Sequence, residues 1–255
     1  YLKCGNMKAY TVYKNKKLFI IDSKTLKPCN VNAKNDSQKF ALHALMAPSE
    51  EIPLVILKGP AGSAKTFLSL AAGVDQTYDG KYGKIVITRA NVLADKDIGY
   101  LKGSLEDKMN PLLAPFYDNL EVILRCFNGG EKESNEQIQM QIEDMKESGI
   151  LEVASLAYMR GRSLNGAFII VDEVQNMSPL QVLTLVTRAG MGTKVVLCGD
   201  LDQIDAPNLD RENNALAYVS EKMKNSPLCA QITFNQDECV RSPLALEAAA
   251  KLTIR

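Results

Sequence analysis

The stretch LVILKGPAGSAKT, residues Leu54–Thr66, decides the fold of this 255-residue chain. Its apolar start predicts a β-strand, its middle is a glycine-containing loop, and the residues after Thr66 have helical composition. Strand, glycine loop ending in Lys-Thr, and helix is the layout of a phosphate-binding P-loop. The first N–H groups of a helix lack partners and carry partial positive charge. We therefore expect the loop to bind the phosphates of a nucleotide.

The loop also predicts individual contacts. Lys65 is expected to reach the β- and γ-phosphates of ATP, and the Thr66 hydroxyl is expected to ligate Mg²⁺. Ala64 stands where the usual pattern has glycine, and we expect it to adopt helical dihedral angles at the start of the helix. The alternative is a glycine-rich turn in which Lys65 only caps a helix. The predicted phosphate-binding residues are Gly59, Pro60, Ala61, Gly62, Ser63, Ala64, Lys65 and Thr66.

The composition is that of an ordinary globular protein, with 46% hydrophobic and 24% charged residues. No apolar run approaches the ~18 residues of a membrane span, and the start of the chain shows no signal-peptide pattern. Six scattered cysteines and a single histidine do not favour a zinc site. Reduced thiols, a cytoplasmic location and no membrane partner are the expectations.

The first forty residues are basic, since they hold nine lysines and two aspartates, a net charge of +7. Such a segment either attracts a phosphate backbone or keeps this part of the chain solvated, and the sequence leaves both possibilities open. Candidate strands at Met7–Tyr13 and Lys17–Asp22 predict a β-hairpin. We therefore divide the chain into an N-terminal β-hairpin segment, residues 1–32, and a main domain, residues 33–255.

Strands and helices alternate from residue 54 onward, which predicts an α/β fold with a mostly parallel sheet flanked by helices. Two stretches interrupt the alternation. Residues 98–120 contain two glycines and two prolines and predict a broken helical excursion. Residues 128–149 are the most polar part of the chain, and we expect a solvated helix or a mobile insertion there, without a site.

Polar residues follow four of the apolar strands at the end where parallel sheets bind ligands. They are the P-loop, Thr88-Arg89, Asp172-Glu173 and Gly199-Asp200. Asp172 is predicted to hold Mg²⁺, and Glu173 to accept a proton from an attacking water. Gln203 is predicted to hydrogen-bond the γ-phosphate. The alternative for Asp172-Glu173 is a pair of acids that simply ends a strand in solvent. The alternative for Gly199-Asp200 is a tight turn that needs Gly and Asp for its backbone conformation.

Five runs of sequence carry a resemblance to a known family: GPAGSAKT, ITRANV, LAYMRGRSLNGAFIIVDEVQN, VVLCGDLDQID and CVRSP. The chain resembles the PhoH family of P-loop ATPases, whose RecA-like motor core is similar to that of superfamily 1 helicases. The resemblance implies Mg²⁺-dependent ATP hydrolysis, coupling to single-stranded RNA, and assembly into a hexameric ring of identical chains. Because no second motor domain is seen in the sequence, strand separation by a monomer is not expected.

The resemblance also implies roles for further residues. Gln38 resembles the helicase glutamine that reads the adenine edge, and Arg89 lies where the family would meet nucleic acid. Arg160 and Arg162 are implied to face nucleotide or RNA, and Arg241 resembles an arginine finger that acts on a neighbour's ATP. Lys65, Glu173, Gln203 and Arg241 thus form the predicted catalytic set. The alternative function, motivated by Ala64, is a nucleotide-binding regulatory or scaffold protein with little turnover.

Overall fold

The computed structural model describes residues 2–4, 7–14, 16–22, 24–90, 105–130, 133–154, 156, 163–239, 244, 247 and 251. The chain begins with four short strands, β1 (Leu2–Cys4), β2 (Met7–Ala9), β3 (Thr11–Lys14) and β4 (Lys17–Ile20). β1 pairs with β2 and β3 pairs with β4, both antiparallel. The predicted hairpin is therefore confirmed in β3–β4. Met7–Ala9, which is predicted to belong to the first strand of that hairpin, forms a separate antiparallel pair with β1.

A six-stranded sheet forms the centre of the main domain, and every neighbouring pair of its strands is parallel. In spatial order it runs β10-β5-β9-β8-β6-β7. The strands are β5 (Leu54–Lys58), β6 (Lys84–Arg89), β7 (Leu151–Val153), β8 (Ala167–Asp172), β9 (Lys194–Gly199) and β10 (Cys229–Thr233). The predicted mostly parallel α/β fold is confirmed.

Helices cover both faces of the sheet. They are α1 (Asp36–Met46), α2 (Lys65–Tyr78), α3 (Leu105–Phe127), α4 (Asn135–Glu147), α5 (Pro179–Val186) and α6 (Ala215–Lys222). Successive strand residues alternate between two cores because side chains of a strand point to opposite faces. In β5, Val55 and Leu57 pack with helices α1 to α4, whereas Leu54 and Ile56 pack with α5 and α6. Burial on both faces explains why these strands are apolar throughout.

The two irregular stretches are more ordered than the sequence predicts. α3 is one helix of 23 residues that includes Pro115, so the expectation of a broken excursion is wrong for the part from residue 105 onward. Its buried residues, among them Phe116, Leu120 and Leu124, recur at helical spacing and pack into the core. Core packing of this stripe outweighs the local preference of proline against helix.

The helix offered as one possibility for residues 128–149 is present as α4, but it packs on the core with one side and is not fully solvated. Ser134 and Gln137 form a capping box at its start, so two of the first free N–H groups are satisfied. Ile138, Ile142 and Met145 are fully buried on one side. The helix is polar on its other faces, which is why its low apolar content misleads the sequence analysis.

The packing of α2 on β8 sets the distance between the P-loop helix and the strand that ends in Asp172. Gly73 lies at this contact, and a Cβ added there would come 3.0 Å from Cδ1 of Phe168. Phe168 is fully buried and has no room to withdraw. A glycine in mid-helix is normally unfavourable, so its presence here reflects the close approach of helix and sheet.

We expect Gly73→Ala to destabilise the protein, because overpacking costs about 1–3 kcal/mol while better helix propensity returns about 1 kcal/mol. The free energy of unfolding, measured in urea, checks this. Gly83→Ala is the matched control, since its added Cβ would meet nothing closer than 3.7 Å. A Gly73→Ala protein more stable than the parent would show that the helix can move away from Phe168.

Candidate nucleotide-binding site

The carboxyl ends of β5, β6, β8 and β9 meet at one edge of the sheet around a cavity of about 300 Å³. Residues from all four predicted motifs line the cavity. They include Gly62 and Lys65 of the loop, Arg89, Asp172, Glu173 and Asp200. α3 closes the opposite wall with Pro115, Phe116 and Asn119, which the sequence pattern does not single out. A cavity of this size falls in the range of small-molecule sites.

The loop folds around the ammonium group of Lys65. Nζ donates to the carbonyl oxygens of Gly59 at 2.6 Å and Pro60 at 3.0 Å, and to Oγ of Ser63 at 3.3 Å. Gly59 has φ +148°, and a Cβ there would lie 2.7 Å from the carbonyl oxygen of Phe234, so only glycine fits. The loop is thus held in a curled shape by the Lys65 ammonium group, which itself lines the cavity.

The prediction of helical dihedral angles for Ala64 is wrong. This residue adopts φ 68° and ψ 23°, the left-handed conformation, and not the helical angles expected. The chain turns back at this residue to enter α2, and this reversal needs a positive φ. Alanine in this conformation is about 1–2 kcal/mol less stable than glycine, because its Cβ crowds the following carbonyl oxygen. Ala64 makes no side-chain cap, so no N-cap side chain satisfies the first N–H groups of α2.

The Thr66 hydroxyl and the Asp172 carboxylate lie together, with Oγ1 donating to Oδ1 at 3.0 Å. Burial raises the pKa of Asp172 to about 6, and the neighbouring Glu173 carboxylate adds to the rise, while Thr66 and Arg89 oppose it. Two hard oxygen ligands at this distance suit Mg²⁺. A divalent cation would also offset the cost of an ionised Asp172 in this position, so the residues present fit the metal.

Glu173 is held from both sides. Arg89 donates through Nη2 to Oε1 at 3.1 Å, and Gln175 donates through Nε2 to Oε2 at 2.6 Å. Glu173 itself adopts φ 55° and ψ 38°, a left-handed conformation that non-glycine residues occupy mainly where the surroundings force it. The structure therefore places Arg89 against the acid pair inside the cavity.

Gln175 is a site residue that the sequence analysis does not assign. It is fully buried, and besides Glu173 it contacts the next loop: Nε2 donates to the carbonyl oxygen of Gln203 at 2.8 Å, and Oε1 accepts from the Asp200 N–H at 3.1 Å. Gly199 permits this approach, since a Cβ there would lie 2.6 Å from Oε1. The only signal in the sequence is an amide two residues after the acid pair.

Gln203 lines the cavity, where its Nε2 donates to Oδ2 of Asp200 at 2.8 Å. Gln38 does not line the cavity. It is buried behind the loop, where Nε2 donates to the carbonyl oxygen of Ser63 at 3.5 Å and Oε1 accepts from the Lys34 N–H at 2.7 Å. Arg160, Arg162 and Arg241 lie outside the described residues.

The parallel sheet, the curled loop and the clustered polar strand ends define a P-loop domain with a nucleotide-binding type of site. A family model described as PhoH-like protein matches residues 30–252. The chain therefore belongs to the PhoH-like protein family, as the sequence resemblance implies. Across the described residues, no helix combines the length and apolarity needed to cross a membrane.

Curated relatives agree with this family. Protein PhoH2 of Bacillus subtilis (strain 168) is 44% identical over 220 residues, which cover 86% of this chain and 47% of that protein. A PhoH-like protein of the same organism is 38% identical over 191 residues, 75% of this chain and 55% of that protein. The chain thus spans about half the length of the curated relatives it matches. Among solved structures, the Pif1 helicase from Candida albicans matches with a TM-score of 0.35 and 16% identity, over 80% of this chain and 40% of that one.

We expect Ala64→Gly to stabilise the protein by about 1 kcal/mol, because it removes the left-handed strain at the start of α2. Ala61→Gly in the same loop is the control, since Ala61 has no positive φ and should gain nothing. Urea unfolding of both variants checks the difference. Equal effects of the two substitutions would contradict the idea that Ala64 is strained.

Asp172→Asn is expected to stabilise the nucleotide-free protein in a pH-dependent way. The folded-state pKa is raised, so the folded parent keeps its proton longer than the unfolded chain, and this contribution is lost as pH rises from about 4 through about 6. The increase in the free energy of unfolding of the variant over the parent should grow over that pH range and level off above it, at about 1–3 kcal/mol. Urea unfolding between pH 4 and 8 measures it.

The exposed acid Asp118 supplies the control, and Asp118→Asn should show no comparable pH-dependent gain. A gain from Asp172→Asn that is equal at every pH would show that ionisation of Asp172 is not its cause. Addition of Mg²⁺ should narrow the difference at pH 8, because the cation stabilises the ionised parent carboxylate and has no such partner in the variant.

Proposed function

We propose that this chain is a Mg²⁺-dependent ATPase. The observation that carries the proposal is the Thr66–Asp172 contact of 3.0 Å at the mouth of a loop already curled around Lys65. This arrangement supplies oxygen ligands for the cation beside backbone N–H groups and an ammonium group for the phosphates. Membership of the PhoH-like family supports the same reading.

The roles of the residues follow from their positions. Lys65 exchanges its bonds to the Gly59 and Pro60 carbonyls for oxygens of the β- and γ-phosphates. Thr66 and Asp172 hold Mg²⁺, which when bound offsets the negative charge that develops on the phosphate oxygens. The N–H groups at the start of α2 add fixed partial positive charge directed at the same oxygens.

Glu173 is the proposed general base. Arg89 and Gln175 each occupy one acceptor position on its carboxylate, and two oxygens with about four acceptor positions leave room for a water. Both donors fix the direction of the carboxylate, so the water is held by an oriented base. Gln203, in the loop that follows β9, is proposed to hydrogen-bond the γ-phosphate through the amide that donates to Asp200 in this structure.

Further parts of the proposal rest on family resemblance. These are coupling of turnover to single-stranded RNA, recognition of adenine by Gln38, and contacts of Arg160 and Arg162 with nucleotide or RNA. A hexameric ring in which Arg241 acts on the ATP of a neighbouring chain belongs to the same group. A cytoplasmic location is proposed from the scattered cysteines. The boundary between residues 1–32 and the P-loop ATPase domain is proposed from the sequence pattern alone.

A second candidate function is favoured by one observation. Ala64 places a methyl group and a strained backbone where the P-loop normally has glycine. Both effects act on the phosphate-binding N–H groups, so a chain that holds ATP but hardly turns it over is the alternative. Phosphate release measured with and without single-stranded RNA, beside a nucleotide titration, separates the two functions. Binding without turnover under every condition favours a regulatory or scaffold role.

Glu173→Gln tests the base directly. The amide keeps the shape of the side chain but cannot accept a proton, so we expect ATP binding to persist while turnover falls about 10²- to 10⁴-fold. Lys65→Ala should lose both binding and turnover, because it removes the cation at the centre of the loop. Lys222→Ala on the exposed face of α6 is the control and should change neither. Turnover by Glu173→Gln at the parent rate would show that Glu173 is not the base.

A further inference from the structure

The β3–β4 hairpin exposes an unusual amount of apolar surface. The exposed fractions are 69% for Tyr13, 56% for Leu18, 51% for Phe19 and 78% for Ile20. All four residues of β4 are exposed, so the hairpin projects from the body of the domain. Tyr13, Leu18 and Ile20 lie on one face of the hairpin and Phe19 lies on the other. Exposed apolar side chains in this number mark interaction sites, and a two-stranded ladder is marginal by itself.

The hairpin also carries positive charge. Lys16 and Lys17 are exposed at its turn, and Lys24 and Lys27 follow it. The first forty residues together carry +7 in a chain whose net charge is zero. The charge therefore selects an anionic partner, and the exposed rings select one that also offers flat apolar faces. Single-stranded nucleic acid has both properties, since its phosphates are charged and its unpaired bases stack on aromatic rings.

The base of the hairpin is fixed to α1. The Tyr10 hydroxyl donates to Oδ1 of Asp36 at 2.6 Å and accepts from Nζ of Lys39 at 2.7 Å, and the Tyr10 ring packs edge-on against Phe40. Ile21, just after β4, is 6% exposed. The anchoring places the projecting part at a defined position on the domain.

The same helix reaches the nucleotide loop. Gln38 of α1 contacts the Ser63 carbonyl oxygen, and its own N–H is held by the N-cap Asn35 at 2.8 Å. The hairpin and the P-loop are thus attached to opposite sides of one helix turn. A ligand that pulls on the hairpin acts on an element that contacts the loop directly.

We propose that the β3–β4 hairpin is a docking site for single-stranded nucleic acid. Tyr13 and Phe19 stack on bases, and Lys16 and Lys17 contact phosphates. The strand register pairs Tyr13 with Leu18 and Val12 with Phe19, so the two rings lie on opposite faces of the hairpin. A strand that crosses the hairpin tip contacts one ring on each side. This assignment deepens the proposed function, on which its link to ATP turnover rests.

The test is fluorescence anisotropy with a labelled 20-nucleotide oligouridylate, and with the matching DNA strand, added to the 255-residue chain without nucleotide. Tyr13→Ala and Phe19→Ala should each weaken binding roughly 5- to 150-fold, the range expected for loss of one stacked base. Lys16→Gln with Lys17→Gln should lower the slope of log K against log salt by about 1.4. Tyr218→Ala and Lys222→Gln, exposed counterparts on α6, are the matched controls and should bind as the parent does.

Parent-like binding by both aromatic variants would overturn the proposal, as would a parent chain that binds neither strand. Binding of the parent to phosphatidylserine vesicles but not to either strand would overturn it as well. Thermal unfolding should be unchanged in the variants, because every substituted side chain is exposed. A chain that binds RNA through the hairpin yet hydrolyses no ATP would refute the proposed function and leave the docking site standing.

Discussion

The contact between the Thr66 hydroxyl and the Asp172 carboxylate is the constraint on which the site depends. The two residues are 106 positions apart in the chain and come from different strand ends, so they meet only if β5, β9 and β8 lie side by side with one polarity. Gly73 permits the close packing of α2 on Phe168 that this distance requires. The parallel order of the sheet and one small residue under the helix thus determine whether a cation and a phosphate can share the same cavity.

A second layer of contacts joins the acid pair to the neighbouring loop. Gln175 bonds Glu173, Asp200 and the Gln203 backbone with a single carboxamide, and Arg89 holds the other side of Glu173. A buried amide with all these partners is rigid, because any rotation would leave a polar group unsatisfied. A displacement of the Gln203 loop therefore also displaces the carboxylate of Glu173, the proposed general base. The arrangement is suited to a site in which the state of the γ-phosphate and the orientation of the base change together.

The sequence predicts most of this fold because its strands are apolar on both faces and its motifs end those strands. Residues 54–58, 84–89, 167–172 and 194–199 are recognisable for that reason, and so is the clustering of the polar residues after them. Ala64 could not be predicted, since its backbone angle is imposed by the path of the chain and not by its own preference. The core packing of α3 and α4 could not be predicted, because burial of a narrow apolar stripe outweighs the proline content of α3 and the polar composition of α4. The role of Gln175 could not be predicted because two of its three partners, Asp200 and Gln203, lie in the loop after another strand.

The position of β5 inside the sheet has a consequence for synthesis. Its two neighbours, β9 and β10, begin at Lys194 and Cys229, so the strand that leads into the P-loop leaves the ribosome well over a hundred residues before either of them. At typical translation speeds of about 5–20 residues per second, the apolar segment Leu54–Lys58 waits roughly 10–30 s without a sheet partner. During that interval its backbone N–H and C=O groups are unpaired and can bind other nascent chains or chaperones. The P-loop is thus among the first motifs of the domain to be synthesised, but the strand that leads into it acquires its sheet neighbours only late in synthesis.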